Sequence, residues 1–130
     1  MSYPSMIEEI RAAIGAHGAW KLKLRTAITL GRCEDSPAQV RCDDRCRLGK
    51  WLYGPELDAG VRNGKPYQVV RRLHAEFHDC AARVLTLALQ DQKSEAEALL
   101  EGEYSARSEI LVVALTKWRG EAEQDLRDAA

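Results

Sequence analysis

The chain has 130 residues, with 19 Lys and Arg against 20 Asp and Glu, for a net charge of -1. That balance gives no basic bias toward nucleic acid or an anionic membrane surface, and the length suits one domain with a real core. No basic-then-apolar leader and no run near the ~18 apolar residues of a membrane span is found, so the expectation is a cytoplasmic chain.

The first helix is predicted to open at "SMIE", with Ser5 capping and Glu8 reaching back as a capping box. From there Ile7, Ile10, Ile14, His17, Lys21, Leu24 and Ile28 recur at spacings of three and four, a bundle-type stripe with two polar members. Gly31 is the expected stop. Residues 32–43 read as a loop in which Ser36 can cap and Pro37 can open a helical turn. Asp43 or Asp44 is expected to cap a short helix through Cys46, Leu48, Trp51 and Leu52. "YGPELDAGVRNGKPY" follows, rich in Gly and Pro, and reads as a connection.

A third segment should run from just after Pro66 to about Gln92. Its inward stripe is Val70, Leu73, His74, Phe77, His78, Ala81, Val84, Leu85 and Ala88. A second capping box, Ser94 with Glu97, leads to a last helix with Leu100, Tyr104, Ser108, Leu111, Leu115 and Trp118 on one face. Its polar tail "GEAEQDLRDAA" is expected to fray. No strand-like alternation competes. The expectation is an all-α four-helix bundle with an additional short helix carrying Cys46, one domain over 1–130 with its core at about 5–118.

All three histidines of the chain, His17, His74 and His78, fall on these inward stripes. His74 and His78, four apart, lie one turn above each other on one helical face. Burying three imidazoles in one small core requires several hydrogen-bond partners, whereas a shared cation would satisfy them together. A fourth ligand is then needed. The four cysteines are Cys33, Cys42, Cys46 and Cys80, with no CxxC pair among them. Cys46, on the short amphipathic element, is the natural candidate; in a reducing compartment it is a thiol rather than half of a disulfide.

"HGAWKLKL", "CRLGKWLYG" and "LHAEFH", in this order and rough spacing, resemble the chemoreceptor zinc-binding (CZB) domain family, as does the later "SARSEILVVAL". The similarity covers roughly residues 10–118. It implies a bacterial helical domain that binds one Zn2+ through three histidines and a cysteine: His17, Cys46, His74 and His78. The family is usually attached to chemoreceptors or to diguanylate cyclases that make cyclic di-GMP, and no such output module is recognised in this chain. Similar domains are thought to sense zinc or hypochlorous acid through the cysteine, and often pair as homodimers.

A hydrolase is disfavoured on the residues themselves. A catalytic zinc keeps an open position, and four protein ligands close it. In H-A-E-F-H, Glu76 sits two residues from each histidine, about 200° around the helix, and is expected to face solvent. The expectation is therefore a non-enzymatic zinc sensor whose oxidisable part is Cys46; a structural zinc module that mediates protein assembly is the alternative. Arg45 and Arg47 could stabilise a Cys46 thiolate, Asp43 or Asp44 could replace an oxidised Cys46 as ligand, and Cys42 could resolve a sulfenic acid. Trp20 and Trp51 are expected to pack around the site. The partners expected are a second copy and a signalling protein, with neither nucleic acid nor membrane.

Overall fold

The computed structural model describes residues 3–129, and every described element in it is helical. Three long helical stretches form an all-α bundle: α1 (Tyr3–Leu30), α5 (Lys65–Leu89), and α6 (Lys93–Leu99) continuing through a π-helical turn (Leu100–Tyr104) into α7 (Ser105–Ala129). Short helices α2 (Pro37–Arg41), α3 (Arg47–Leu52) and α4 (Ala59–Arg62) lie between α1 and α5. Helix α7 packs on α1 and α5, α2 packs on α5, and α3 touches both α1 and α5. Residues 1, 2 and 130 of the expected domain lie outside the described residues.

Hydrophobic periodicity explains the long helices. Ile7, Ile10, Leu24 and Ile28 of α1 are buried, as are Val70, Phe77, Ala81, Val84, Leu85 and Ala88 of α5 and Leu111, Leu115 and Trp118 of α7. Each side chain of this size stabilises the fold by about 1.5–3 kcal/mol through its removal from water. Lys21 stays at the surface, where its ammonium pairs with Glu101. Ile14 and Leu73 are only partly buried.

The capping expectations met mixed results. Ser36 forms the expected cap, complete with a reciprocal bond from its own N–H to Gln39, and Pro37 opens α2. Gly31 ends α1 with φ +70, a conformation costly for any residue with a Cβ. Ser5 does not open α1, which already runs from Tyr3, and Ser94 lies inside α6, where no side chain caps the start. Neither Asp43 nor Asp44 caps α3; its N-cap is Cys46. Helix α5 starts one residue before Pro66 and ends at Leu89, because Asp91 turns left-handed with φ 59. The expected connection after Tyr53 contains the turn α4, capped by Asp58, and the tail expected to fray is helical through Ala129.

The entry to α3 is tightly determined. A Cβ at Gly49 would stand 1.8 Å from the Asp43 carbonyl oxygen, so only glycine lets this turn lie against the preceding backbone. Arg47 forks onto Glu9 with donor–acceptor distances of 3.1 and 3.0 Å, tying the start of α3 to α1. The Tyr67 hydroxyl donates to the Leu52 carbonyl at 2.8 Å and holds the other end of α3 to α5.

Gly49→Ala should therefore lower unfolding stability by about 1–3 kcal/mol, the usual cost of forcing atoms into a packed site. Gly120→Ala, in a helix interior where an added Cβ meets nothing within 4 Å, should raise it by about 0.5–1 kcal/mol. Guanidinium denaturation of the two variants beside the wild type checks both signs.

Candidate metal centre

Four side chains that are far apart in sequence converge where α1, α5 and the start of α3 meet: His17, Cys46, His74 and His78. One donor atom from each lies within 4.8 Å of all the others. The imidazoles are almost wholly withdrawn from solvent, with exposures of 2% for His17, 0% for His74 and 2% for His78. Cys46 is only partly buried.

Backbone carbonyls set two of the three tautomers. His17 Nδ1 donates to the Ala13 carbonyl at 3.0 Å, one turn back on α1, and His78 Nδ1 donates to the Val40 carbonyl of α2 at 2.8 Å. The proton then sits on the outer nitrogen in each ring, which leaves the Nε2 lone pair facing the cluster. His17 Nε2 has no hydrogen-bond partner at all. His74 Nε2 lies 3.0 Å from His78 Nε2, and the Cys46 sulfur lies 3.2 Å from the first and 3.6 Å from the second.

Burial holds these imidazoles neutral. Desolvation lowers the pKa of His17 to about 4 and that of His74 to about 2, with the neighbouring rings adding to the effect at His74. That of His78 is lowered by the same cause, against an opposing pull from its bond to Val40 and from Asp43. Inward-facing imidazole nitrogens at these distances need either a shared proton donor or a cation between them, and His17 Nε2 has no donor.

Zinc meets that requirement. Tetrahedral bonds of roughly 2.0–2.1 Å to nitrogen and 2.3 Å to sulfur place ligand atoms about 3.3 Å (N–N) and 3.6 Å (N–S) apart. The separations of 3.0, 3.2 and 3.6 Å found among Cys46, His74 and His78 fall close to those values. A soft thiolate with three imidazoles is also a zinc-type donor set rather than a magnesium or calcium one. The unpartnered His17 Nε2 completes the fit. His74 Nδ1, by contrast, remains buried without a partner, and neither the cluster nor a backbone group accounts for it.

Cys46 owes its position to the cap it forms. Its sulfur accepts the Gly49 N–H at 3.4 Å, so the helix start aims N–H groups at it. Burial nonetheless raises its pKa, outweighing those N–H groups, and Asp43 adds to the rise. The expected help from flanking arginines is not what the structure provides. Arg47 is committed to Glu9, and Arg45 lines the crevice outside the sulfur without contributing to its shift. Asp43 is engaged too, its carboxylate accepting the Tyr53 hydroxyl at 2.5 Å. That bond, together with burial, pushes Tyr53 up to about 12.

Aromatic rings close the inner side. Phe77 stands edge-on to His17, with ring centroids 4.9 Å apart, and lies 5.5 Å from His78, while Trp20 is 5.8 Å from His78. Trp51 does not join them; its ring lies against Trp118 at 5.3 Å. Glu76 faces away as expected, paired with Arg72 and Arg107. The two carbonyls that orient the rings were not anticipated. Ala13 is four residues before His17, a spacing that a helix makes readable, but Val40 is 38 residues from His78 and only the fold unites them.

Comparison with curated proteins gives no match, and neither does comparison with solved structures. The family model described as "Chemoreceptor zinc-binding domain" matches residues 17–85, a span that begins at His17 and contains Cys46, His74 and His78. That span exceeds half of the 130-residue chain and covers the whole donor cluster, and zinc is the metal the cluster fits. The chain thus belongs to the chemoreceptor zinc-binding domain family.

Proposed function

We propose that His17, Cys46, His74 and His78 together ligate one Zn2+, and that the domain is a sensory module of bacterial signalling rather than an enzyme. In this reading it responds to an oxidant such as hypochlorous acid, or to zinc level, by loosening the metal at Cys46. The observation that carries it is the unequal burial of the four donors. The three imidazoles are at most 2% exposed, while the thiol is only partly buried and lines a crevice of about 230 Å³ with Trp20, Gln39, Arg45 and the edge of His78. The donor most easily oxidised is the one that solvent can approach.

The chemistry is simple. A thiolate and hypochlorous acid give a sulfenic acid and chloride, with sulfur losing the two electrons that chlorine gains. A sulfenic acid is a poorer donor, so one of four bonds weakens. Because those bonds join α1, α5 and the start of α3, their loss shifts how these elements pack. Four protein donors also fill a tetrahedral set, leaving no position for a substrate. The structural-module alternative shares these ligands and differs only in that Cys46 would stay reduced.

The same reading places the domain in the cytoplasm beside a chemotaxis or cyclic di-GMP partner, and as a homodimer. Among the described residues no helix is long and apolar enough to cross a membrane. Ile110 and Val113, three apart on α7, are 52% and 63% exposed, aliphatic side chains that a second copy would cover.

Native mass spectrometry should find one zinc per chain, and His74→Ala and Cys46→Ala should weaken zinc binding at least ~100-fold in a chelator competition, beyond the usual loss from altering a ligand's supporting partner. Stoichiometric hypochlorous acid should release the zinc as Cys46 gains oxygen. Retention of zinc with Cys46 reduced would favour the structural module or a zinc-level role, and a chain without zinc would remove both readings. Chelation should lower the melting temperature of the wild type by 10 °C or more on the ~4–8 °C per kcal/mol scale of small domains, while leaving that of Cys46→Ala nearly unchanged. Light scattering should show a dimer that Val113→Asp converts to a monomer; a wild-type monomer at high concentration would exclude pairing.

A further inference from the structure

We infer that Cys42 is the resolving thiol of the site: once Cys46 is oxidised, the two close an intramolecular Cys42–Cys46 disulfide that holds the domain in its zinc-released form. This deepens the proposed sensor reading and rests on it.

The placement of the chain's four thiols separates Cys42 from the other candidates. Cys42 and Cys46 line one crevice, together with Trp20, Val40 and His78. Cys33 does not line that crevice; it lines the adjoining cleft, which shares Lys23 and Asp35 with it. Cys80 is wholly buried on α5, where it interacts with Glu103. Cys42 is exposed, and its thiol makes only a weak bond, donating to the Ala38 carbonyl at 3.3 Å. It is free to turn.

The backbone between the two thiols also suits closure. Cys42 is the C-cap of α2 and Cys46 the N-cap of α3, so the three residues between them form a turn outside both helices. A disulfide needs Cα atoms within roughly 4.4–6.8 Å, and a turn can adjust toward that where a helix interior cannot. The Cys46 sulfur, once released from the imidazoles, has the crevice as its way out of the core, and Cys42 stands on that crevice wall. The same sulfur caps α3, so drawing it toward Cys42 takes it from the Gly49 N–H.

The reaction balances without further reagents. Hypochlorous acid takes the Cys46 thiolate to the sulfenic acid and leaves chloride. The Cys42 thiol then attacks that sulfur; an S–S bond forms, the S–O bond breaks, and the oxygen departs as water with the Cys42 proton. Two electrons, one from each sulfur in the final accounting, have gone to chlorine. The disulfide protects Cys46 from the irreversible sulfinic acid, so a cellular dithiol can restore the zinc-binding thiolate.

Trypsin makes the test direct, because Arg45 separates the two cysteines and Arg41 and Arg47 bound them. Zinc-loaded full-length protein is treated with stoichiometric hypochlorous acid, alkylated, and digested without reduction. The expected result is the cross-linked pair Cys42–Arg45 with Cys46–Arg47, together with loss of zinc and its recovery after dithiothreitol. Cys42→Ser should still lose its zinc and lack the linked pair, and with a second equivalent of hypochlorous acid it should accumulate sulfinic acid at Cys46 and fail to rebind zinc after reduction. If Cys46 carries oxygen, or bonds to Cys33 or another chain, while Cys42 stays alkylated, the resolving role is overturned and the sensor reading stands. If Cys46 itself stays reduced, the resolving role and the oxidant branch of the sensor reading are both overturned, the latter at its own first step.

Discussion

Three imidazoles held neutral by burial turn ring nitrogens to a common point in the interior of the bundle. His17 and His78 each give their one ring proton to a backbone carbonyl, so neither has a hydrogen left to offer inward. Such a cluster is unfavourable as a plain core. His17 Nε2 and His74 Nδ1 have left water without finding a partner, and the remaining inward nitrogens share only one another and the Cys46 thiol. A cation turns each of these costs into a bond. In the proposed reading a metal completes the interior of the bundle and links α1 to α5 at this level.

The long helices and their inward faces were legible because they rest on local periodicity. Ile10, Leu24, Val70, Phe77, Leu111 and Leu115 all point where a period of 3.6 sends them. Boundaries were less legible. Capping residues such as Ser5, Ser94, Asp43 and Asp44 occur at plausible places, but whether one caps depends on where the helix has already begun. At α3 the competing principle was tertiary: the turn is pressed against the Asp43 carbonyl, Gly49 permits the contact, and the cap falls to Cys46. The π-helical turn at Leu100–Tyr104 left no sequence signal either; it is a local widening that accommodates the buried Tyr104 ring against Phe77 at 5.3 Å.

For the site, the convergence of the four side chains could be anticipated from three histidines on inward stripes, but their electrostatic setting could not. Arg45 and Arg47 flank Cys46 in sequence and suggest a stabilised thiolate, yet in space Arg47 belongs to Glu9. Adjacent residues on a turn point in different directions, so sequence proximity is a poor guide to which charge a sulfur feels. Trp51 illustrates the same limit. It belongs to the block that carries Cys46, but the α3 helix turns its ring to Trp118 on α7. The Val40 carbonyl that orients His78 lies on α2, whose packing on α5 no local pattern announces.

The division of the donors between elements has a mechanical consequence. His17, His74 and His78 project from helices of 28 and 25 residues that share the core, so none can leave without disturbing α1 or α5. Cys46 stands at the start of a six-residue helix preceded by a turn. That helix is held by the Arg47–Glu9 fork, the Tyr67 bond to Leu52 and the fit of Gly49 against Asp43, and it buries Leu48, Trp51 and Leu52 in the core, but the turn of residues 42–45 before Cys46 is mostly exposed. Short segments with few buried contacts open at lower free energy than the core elements they touch. The oxidisable donor therefore adjoins a segment less costly to move, and the three imidazoles sit on the frame. A site intended only to staple helices gains nothing from this asymmetry, whereas a site that must lose its metal without unfolding the bundle depends on it.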